Sequence, residues 1–263
     1  MSAGVDSPPP LVGDDDPASA PRRRRRLLAA LALVVVAAVV GGGALALSRR
    51  SDGGGDRLDV ALAGDSFVEQ SRDQFRAHTD ADGMSFDVVA FGGTAVCDWK
   101  EEIAAFARRR PHTLILSYAG NDVTPCMQRT PTPSTPPETA AEYESDFTTI
   151  IADVEEVSPD TAIYMVPPPP VQKPEFEANA AAMRAMYQRF AADHPEITLI
   201  DVTTELGRDH RFHAALPCEA WEEAACGADG TIVLRQDDGI HLTPAGGERY
   251  ARVMLRAIGA GAG

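Results

Sequence analysis

Five short apolar runs alternate with stretches of helical periodicity, and this alternation restricts the possible folds more than any other feature of the chain. Residues 58–63, 86–91, 113–118, 162–166 and 197–201 are rich in Val, Ile, Leu and Phe and are bounded by turn-forming residues, so they read as strands. Between and after them, residues 67–77, 98–109, 138–157, 175–193 and 244–258 read as helices. In the third of these, Tyr143, Phe147, Ile150, Ile151 and Val154 recur at helical spacing. Strands separated by helices form a parallel sheet covered on both faces. The expected fold is therefore α/β, a three-layer α/β/α sandwich around a five-stranded parallel sheet, occupying residues 58–263. In such sheets the chemistry gathers beyond the carboxyl ends of the strands.

Ahead of this domain, residues 27–47 carry no charge over 21 positions, which as a helix gives roughly 31 Å, the thickness of a bilayer core. This predicts an N-terminal transmembrane helix acting as a signal-anchor. Arg22 to Arg26 precede it, against Arg49 and Arg50 after it, so the positive-inside bias leaves residues 1–26 in the cytoplasm and the remainder outside. The expected location is a single-pass cell-membrane protein with an extracytoplasmic domain. Ala44, Leu45 and Ala46 also resemble a small-residue cleavage site, so a cleaved signal peptide and a secreted product stay open. The leader 1–26, with Pro8 to Pro10 and Asp14 to Asp16, has the composition of a disordered segment. Residues 48–57, glycine-rich, read as a linker.

The chain has 24 basic and 39 acidic residues for a net charge of −15. Because residues 1–50 are net positive by three, the rest carries −18. That balance excludes nucleic acid as a partner held through phosphates, and it favours neutral over anionic substrates. All four cysteines lie in the domain, as an oxidising compartment allows. Three pairings are possible; Cys218 and Cys226, eight apart in one loop, favour each other and leave Cys97 for Cys126. No CxxC spacing supports a zinc site.

Four motifs fall at predicted strand ends. Gly64-Asp65-Ser66 follows the first strand, Gly92-Gly93-Thr94 the second and Gly120-Asn121-Asp122 the third, while Asp238 stands three residues before His241, just ahead of the last helix. Each alone has an ordinary reading: an N-cap, a tight turn, an Asx turn, a surface histidine beside an acid. Together they supply the parts of serine catalysis. Ser66 can be the nucleophile, His241 the base and Asp238 the group that fixes the imidazole tautomer. The Ser66 N–H, a glycine N–H and the Asn121 amide can form an oxyanion hole. Gly93, further into its turn, is the preferred glycine and Gly92 the alternative.

These motifs, in this order, resemble those of the SGNH hydrolases, or GDSL esterases and lipases, over residues 58–258. Gly64-Asp65-Ser66 matches the block that carries the nucleophile, Gly120-Asn121-Asp122 the block whose asparagine donates to the oxyanion, and Asp238 with His241 the D-x-x-H block. Phe67 stands where the family has leucine, and Phe91-Gly92-Gly93-Thr94 lacks the usual preceding asparagine. The resemblance implies a flavodoxin-like sandwich and hydrolysis of carboxylic esters, with no cofactor or metal. An α/β-hydrolase would need G-x-S-x-G, and Val68 occupies the position of its second glycine.

The stretches 92–99 and 120–127 look like those of SGNH domains in bacterial cell-envelope proteins, including ones fused to membrane acyltransferases. The expected substrate is thus a small ester or an acylated glycan, with short acyl groups such as O-acetyl. Acyl transfer to a glycan is the alternative, and a non-catalytic wall-binding module a further one. The proline-rich loops 125–137 and 167–174 are expected to wall the site. Trp99, Trp221 and Tyr118 can stack on a sugar, although packing is their default role.

Overall fold

The structure, a computed structural model, describes residues 57–128 and 134–260. The expected leader, the transmembrane segment 27–47 and all of the linker except Arg57 lie outside the described residues. Among the described residues no helix is long and apolar enough to cross a membrane.

Five strands, β1 (Val60–Gly64), β2 (Phe86–Ala90), β3 (Thr113–Ser117), β4 (Ala162–Val166) and β5 (Ile197–Leu199), form one sheet in the order β2-β1-β3-β4-β5. Every pairing is parallel. This is the flavodoxin-like order, with its reversal point between β1 and β3. The helices are α1 (Ser66–Ala81), α2 (Lys100–Arg108), α3 (Pro136–Val157), α4 (Pro174–Asp193) and α5 (Pro244–Ala257). α3, α4 and α5 each begin with proline, whose missing N–H would have had no helical partner there.

Alternation along the strands sorts the core into two layers. Ala61 and Ala63 of β1, Leu114 and Leu116 of β3, and Ile163 and Met165 of β4 pack with Ile103, Phe147, Val154 and Met186 of α2, α3 and α4. Val60, Leu62, Ile115 and Val166 face the other way, against Phe67, Phe75, Tyr250 and Met254 of α1 and α5. Phe67 is thus a core residue that neighbours the serine without entering its chemistry.

Several boundaries differ from expectation. Helix α1 runs on to Ala81, because Thr79 is buried and bonds back to Phe75 O although its neighbours are polar. The helix expected over 98–109 is a 3₁₀ turn, Val96–Trp99, followed by α2. β5 stops at Leu199, and just beyond it Asp201 accepts from the Thr203 N–H and turns the chain. The long loop before α5 contains two small antiparallel ribbons, β6 (Gly207–Arg208) with β7 (Arg211–Phe212) and β8 (Ala215–Pro217) with β9 (Thr231–Val233). Cys218–Cys226 closes the loop between β8 and β9, and Cys97–Cys126 joins the segments that follow β2 and β3.

Candidate active site

Helix α1 starts immediately at the end of β1, which requires very close contact. A Cβ on Gly64 would lie 2.2 Å from Val68 Cγ2 and 2.6 Å from Ser117 O, so only glycine fits. Asp65 then caps the helix, accepting from the Phe67 N–H at 3.2 Å. Ser66 follows in the first turn, where backbone amides have no helical acceptor. Its side chain makes no hydrogen bond to the described residues, and it lines a cavity of about 350 Å³.

Asp65 is fully buried. Its other oxygen accepts from the Ala119 N–H at 2.7 Å and from Asn121 Nδ2 at 3.2 Å. Burial pushes this carboxyl up to about 6, and the amide hydrogen bonds only partly offset it.

The glycine loop is fixed from α1. Glu69, one turn beyond Ser66, accepts the Gly92 N–H at 2.7 Å. Gly93, at φ +80°, has its N–H without a partner among the described residues. The two glycines, alternatives by sequence, therefore differ in a way that can be read: one amide is occupied and the other is free. Thr94 O accepts from Asn121 Nδ2 at 3.0 Å, so both hydrogens of that amide are engaged, one by Asp65 and one by the glycine loop. Tyr143 donates to Asn121 O at 3.0 Å and holds the third loop from behind.

His241 is locked to Asp238. Its Nδ1 lies 2.5 Å from Asp238 Oδ2, and Asp238 Oδ1 accepts the His241 and Ile240 N–H groups at 2.9 and 2.8 Å. Burial raises the Asp238 carboxyl, but those two amides and the imidazole outweigh it and hold it at about 2. With Nδ1 closed by the carboxylate, Nε2 is the nitrogen left for chemistry. The loop is anchored on both sides: Gln70 accepts the Leu242 N–H at 2.7 Å, and buried Arg235 donates to Ile240 O at 2.7 Å.

Ser66, Gly92, Gly93, Asn121 and His241 thus line one cavity. A direct Ser66–His241 hydrogen bond, expected from the motif, is not formed; serine–histidine contacts are often long before substrate binds. Val171, Phe176, Ala180 and Ile240 add an apolar lining to the same cavity. Of the two proline-rich loops, among the described residues only 167–174 reaches the cavity, through Pro168 and Val171.

The three aromatic residues considered for sugar stacking lie elsewhere. Tyr118 is buried in the core, Trp99 packs against it, and Trp221, although exposed, lies away from the cavity with the Arg252 guanidinium 4.4 Å from its ring centroid. Among the described residues no group of His, Cys, Asp and Glu is arranged to hold a metal ion.

Sequence reasoning missed Glu69, Gln70 and Arg235. Ser66-Phe67-Val68-Glu69 does carry the S-x-x-E pattern of a capping box, a signal that pointed to Glu69 for the wrong partner.

Residues 59–257 match the family described as "Protein of unknown function (DUF459)". No curated protein matches the chain. Among solved structures it is similar to LAE5, an alpha/beta hydrolase enzyme from the metagenome of Lake Arreo, Spain, at 16% identity and TM-score 0.55, covering 78% of this chain and 97% of that one. It is similar to the acetyl xylan esterase AlAXEase at 16% identity and TM-score 0.52, covering 76% and 100%. The periplasmic domain of a lipopolysaccharide acetyltransferase from Salmonella ser. Paratyphi A gives 13% and 0.52, covering 77% and 84%. At these identities the likeness is one of fold.

Proposed function

The chain belongs to the DUF459 family and is an SGNH hydrolase family member, and from that premise we propose that it is a serine esterase acting on short-acyl carboxylic esters, O-acetyl groups on a glycan above all. The observation that carries this reading is the convergence of Ser66, Gly93, Asn121 and the His241–Asp238 pair, from four separate loops, on one cavity.

In the proposed reaction Ser66 Oγ attacks the ester carbonyl while His241 Nε2 takes its proton. Asp238, ionised at neutral pH, stabilises the imidazolium. The Ser66 and Gly93 N–H groups, both without a partner among the described residues, donate to the oxyanion. Asn121 joins them by releasing Asp65, the longer of its two contacts. Collapse of the tetrahedral intermediate returns the proton from His241 to the leaving alkoxide and leaves an acyl-Ser66. Water, activated by the same imidazole, then releases the acid.

A cavity of about 350 Å³ with an apolar wall suits a short acyl group, being at the small end of ligand sites. The activities of the acetyl xylan esterase and the acetyltransferase of like fold support an acetylated carbohydrate as the acyl source. The acetyltransferase also motivates a second reading, in which a sugar hydroxyl in place of water takes the acyl group. For location, the uncharged segment 27–47 and two disulfides support an anchored domain outside the cytoplasm.

The test is hydrolysis of 4-nitrophenyl acetate by the full chain beside Ser66→Ala. Turnover lost in the variant, with its unfolding transition unchanged, supports the reading; equal turnover in both sinks it. Products formed with an added sugar acceptor separate transfer from hydrolysis.

A further inference from the structure

A second cavity, of about 460 Å³, opens at the ends of β4 and β5, on the same edge of the sheet as Ser66. Two pairs of adjacent residues are divided between the cavities: Pro168 and Ala180 line the first, Pro167 and Ala181 the second. Arg184, in the second, pairs with Glu177, whose other oxygen accepts the Val171 N–H of the first cavity's wall at 2.8 Å.

The polar groups of this second cavity are organised around Thr203. Its hydroxyl has one proton, and Asp201 Oδ1, an acceptor only, takes it at 2.6 Å. The contact between Thr203 Oγ1 and His210 Nδ1, at 2.8 Å, must then be donated by the imidazole. That puts a proton on His210 Nδ1 and leaves Nε2 without a partner among the described residues. Asp201 Oδ2 also remains open, and the exposed Gln188 amide has no partner among the described residues.

His210 is placed there against backbone preference. Asp209 at φ +53° and His210 at φ +56° form the two-residue turn between β6 and β7, a turn whose second position ordinarily carries glycine. The floor, from Pro167, Leu199 and Ala185, is apolar. Arg184 is neutralised by Glu177, so the Asp201 carboxylate is the remaining charge, an acceptor for hydroxyls that disfavours an anionic ring. Open acceptors and an amide above an apolar floor suit the hydroxyls and ring face of a neutral sugar.

We infer that this cavity is a subsite for a second, neutral sugar ring of the same glycan whose ester is seated at Ser66, so that the enzyme acts on chains rather than on single acetylated sugars. The inference rests on the esterase reading for its acyl site and adds a polymer requirement to it.

The experiment uses the full chain with O-acetylated xylohexaose and O-acetylated hexamer of N-acetylglucosamine, each against its acetylated methyl monosaccharide, with 4-nitrophenyl acetate as reference. For at least one hexamer, kcat/KM is expected to exceed that of the monosaccharide by about ten-fold. In His210→Gly and in Thr203→Val that preference disappears through KM, with kcat on the hexamer retained. Glycine suits the turn at φ +56°, so loss of fold does not enter the first variant's result. No preference for either hexamer in the wild type, or preference intact in both variants, overturns the inference. Absence of Ser66-dependent turnover of 4-nitrophenyl acetate instead strikes the esterase reading. In that case calorimetric titration of Ser66→Ala with the two unacetylated hexamers decides the subsite: binding that His210→Gly abolishes supports it, and no binding of either hexamer overturns it.

Discussion

Asn121 Nδ2 donates to Asp65 Oδ2 across 3.2 Å, tying the residue before the serine to the loop after β3. Asp65 is therefore more than a helix cap: one buried carboxyl sets the start of α1 and the position of Asn121, the proposed oxyanion donor, together. Its acidity, weakened by burial, gives the protein a stability signature in mildly acid solution.

Because the folded carboxyl titrates at about 6 and the unfolded one near 3.8, the folded state holds the proton more tightly. The stabilisation is full below pH 3.8 and is lost as the pH rises through 6. Asp65→Asn cannot titrate there. The difference in unfolding free energy between wild type and variant should change by about 2 kcal/mol, against the wild type, from pH 4 to pH 6.5. Urea unfolding at stepped pH measures it, and parallel curves would contradict the assignment.

Asp238 gives the opposite sign in a lower window. Its folded value of about 2 lies below the unfolded one, so its contribution is present above pH 3.8 and lost as the pH falls toward 2. Asp238→Asn should flatten that acid limb. The same change should lower kcat by roughly two to four orders of magnitude, since the carboxylate no longer selects the tautomer. A variant with near wild-type kcat would remove Asp238 from the catalytic scheme.

Glu69 is a positioning residue, acting through the Gly92 N–H on the loop that presents Gly93. Glu69→Ala should reduce kcat by roughly ten-fold with KM little changed, as expected for an interaction felt only in the transition state. Glu69→Gln retains an acceptor and should recover most of the loss. A rise in KM alone would mean that Glu69 serves binding instead.

The two disulfides close loops of unequal length, 29 and 8 residues. Chain entropy predicts that replacing the Cys97–Cys126 pair by alanines costs about 3.5 kcal/mol, and replacing Cys218–Cys226 about 2.5 kcal/mol. Only the first bridge joins the segments carrying Gly93 and Asn121, so only its loss should also depress kcat. Denaturant curves and aryl-ester kinetics on the two double variants test both statements.

The strands of the sheet were legible because each is an apolar run ended by a turn residue, and β3 and β4 are bounded nearly as read. The ribbons β6–β9 were not, since two- and three-residue strands leave no periodicity, and Asp209-His210 turns without the glycine that marks such hairpins. The candidate catalytic residues were legible as short local motifs. Glu69 to Gly92, Gln70 to Leu242 and Asp65 to Ala119 are pairings 23, 172 and 54 residues apart, and nothing local distinguishes these side chains from ordinary helix-surface or capping groups. Only folding brings them into register.

Helices α1 and α5 pack against each other: Gly247 is close enough to α1 that an added Cβ would lie 3.3 Å from Ser71 Cα, and His78 reaches Glu248. Ser66 thus enters with the first helix of the domain, while His241, its proposed base, arrives just ahead of the last. During synthesis the ribosome releases Ser66, the proposed nucleophile, long before the residues proposed to activate it. On the proposed mechanism a nascent or prematurely ended chain carries Ser66 as an ordinary alcohol, and reactivity begins only when the final helix docks.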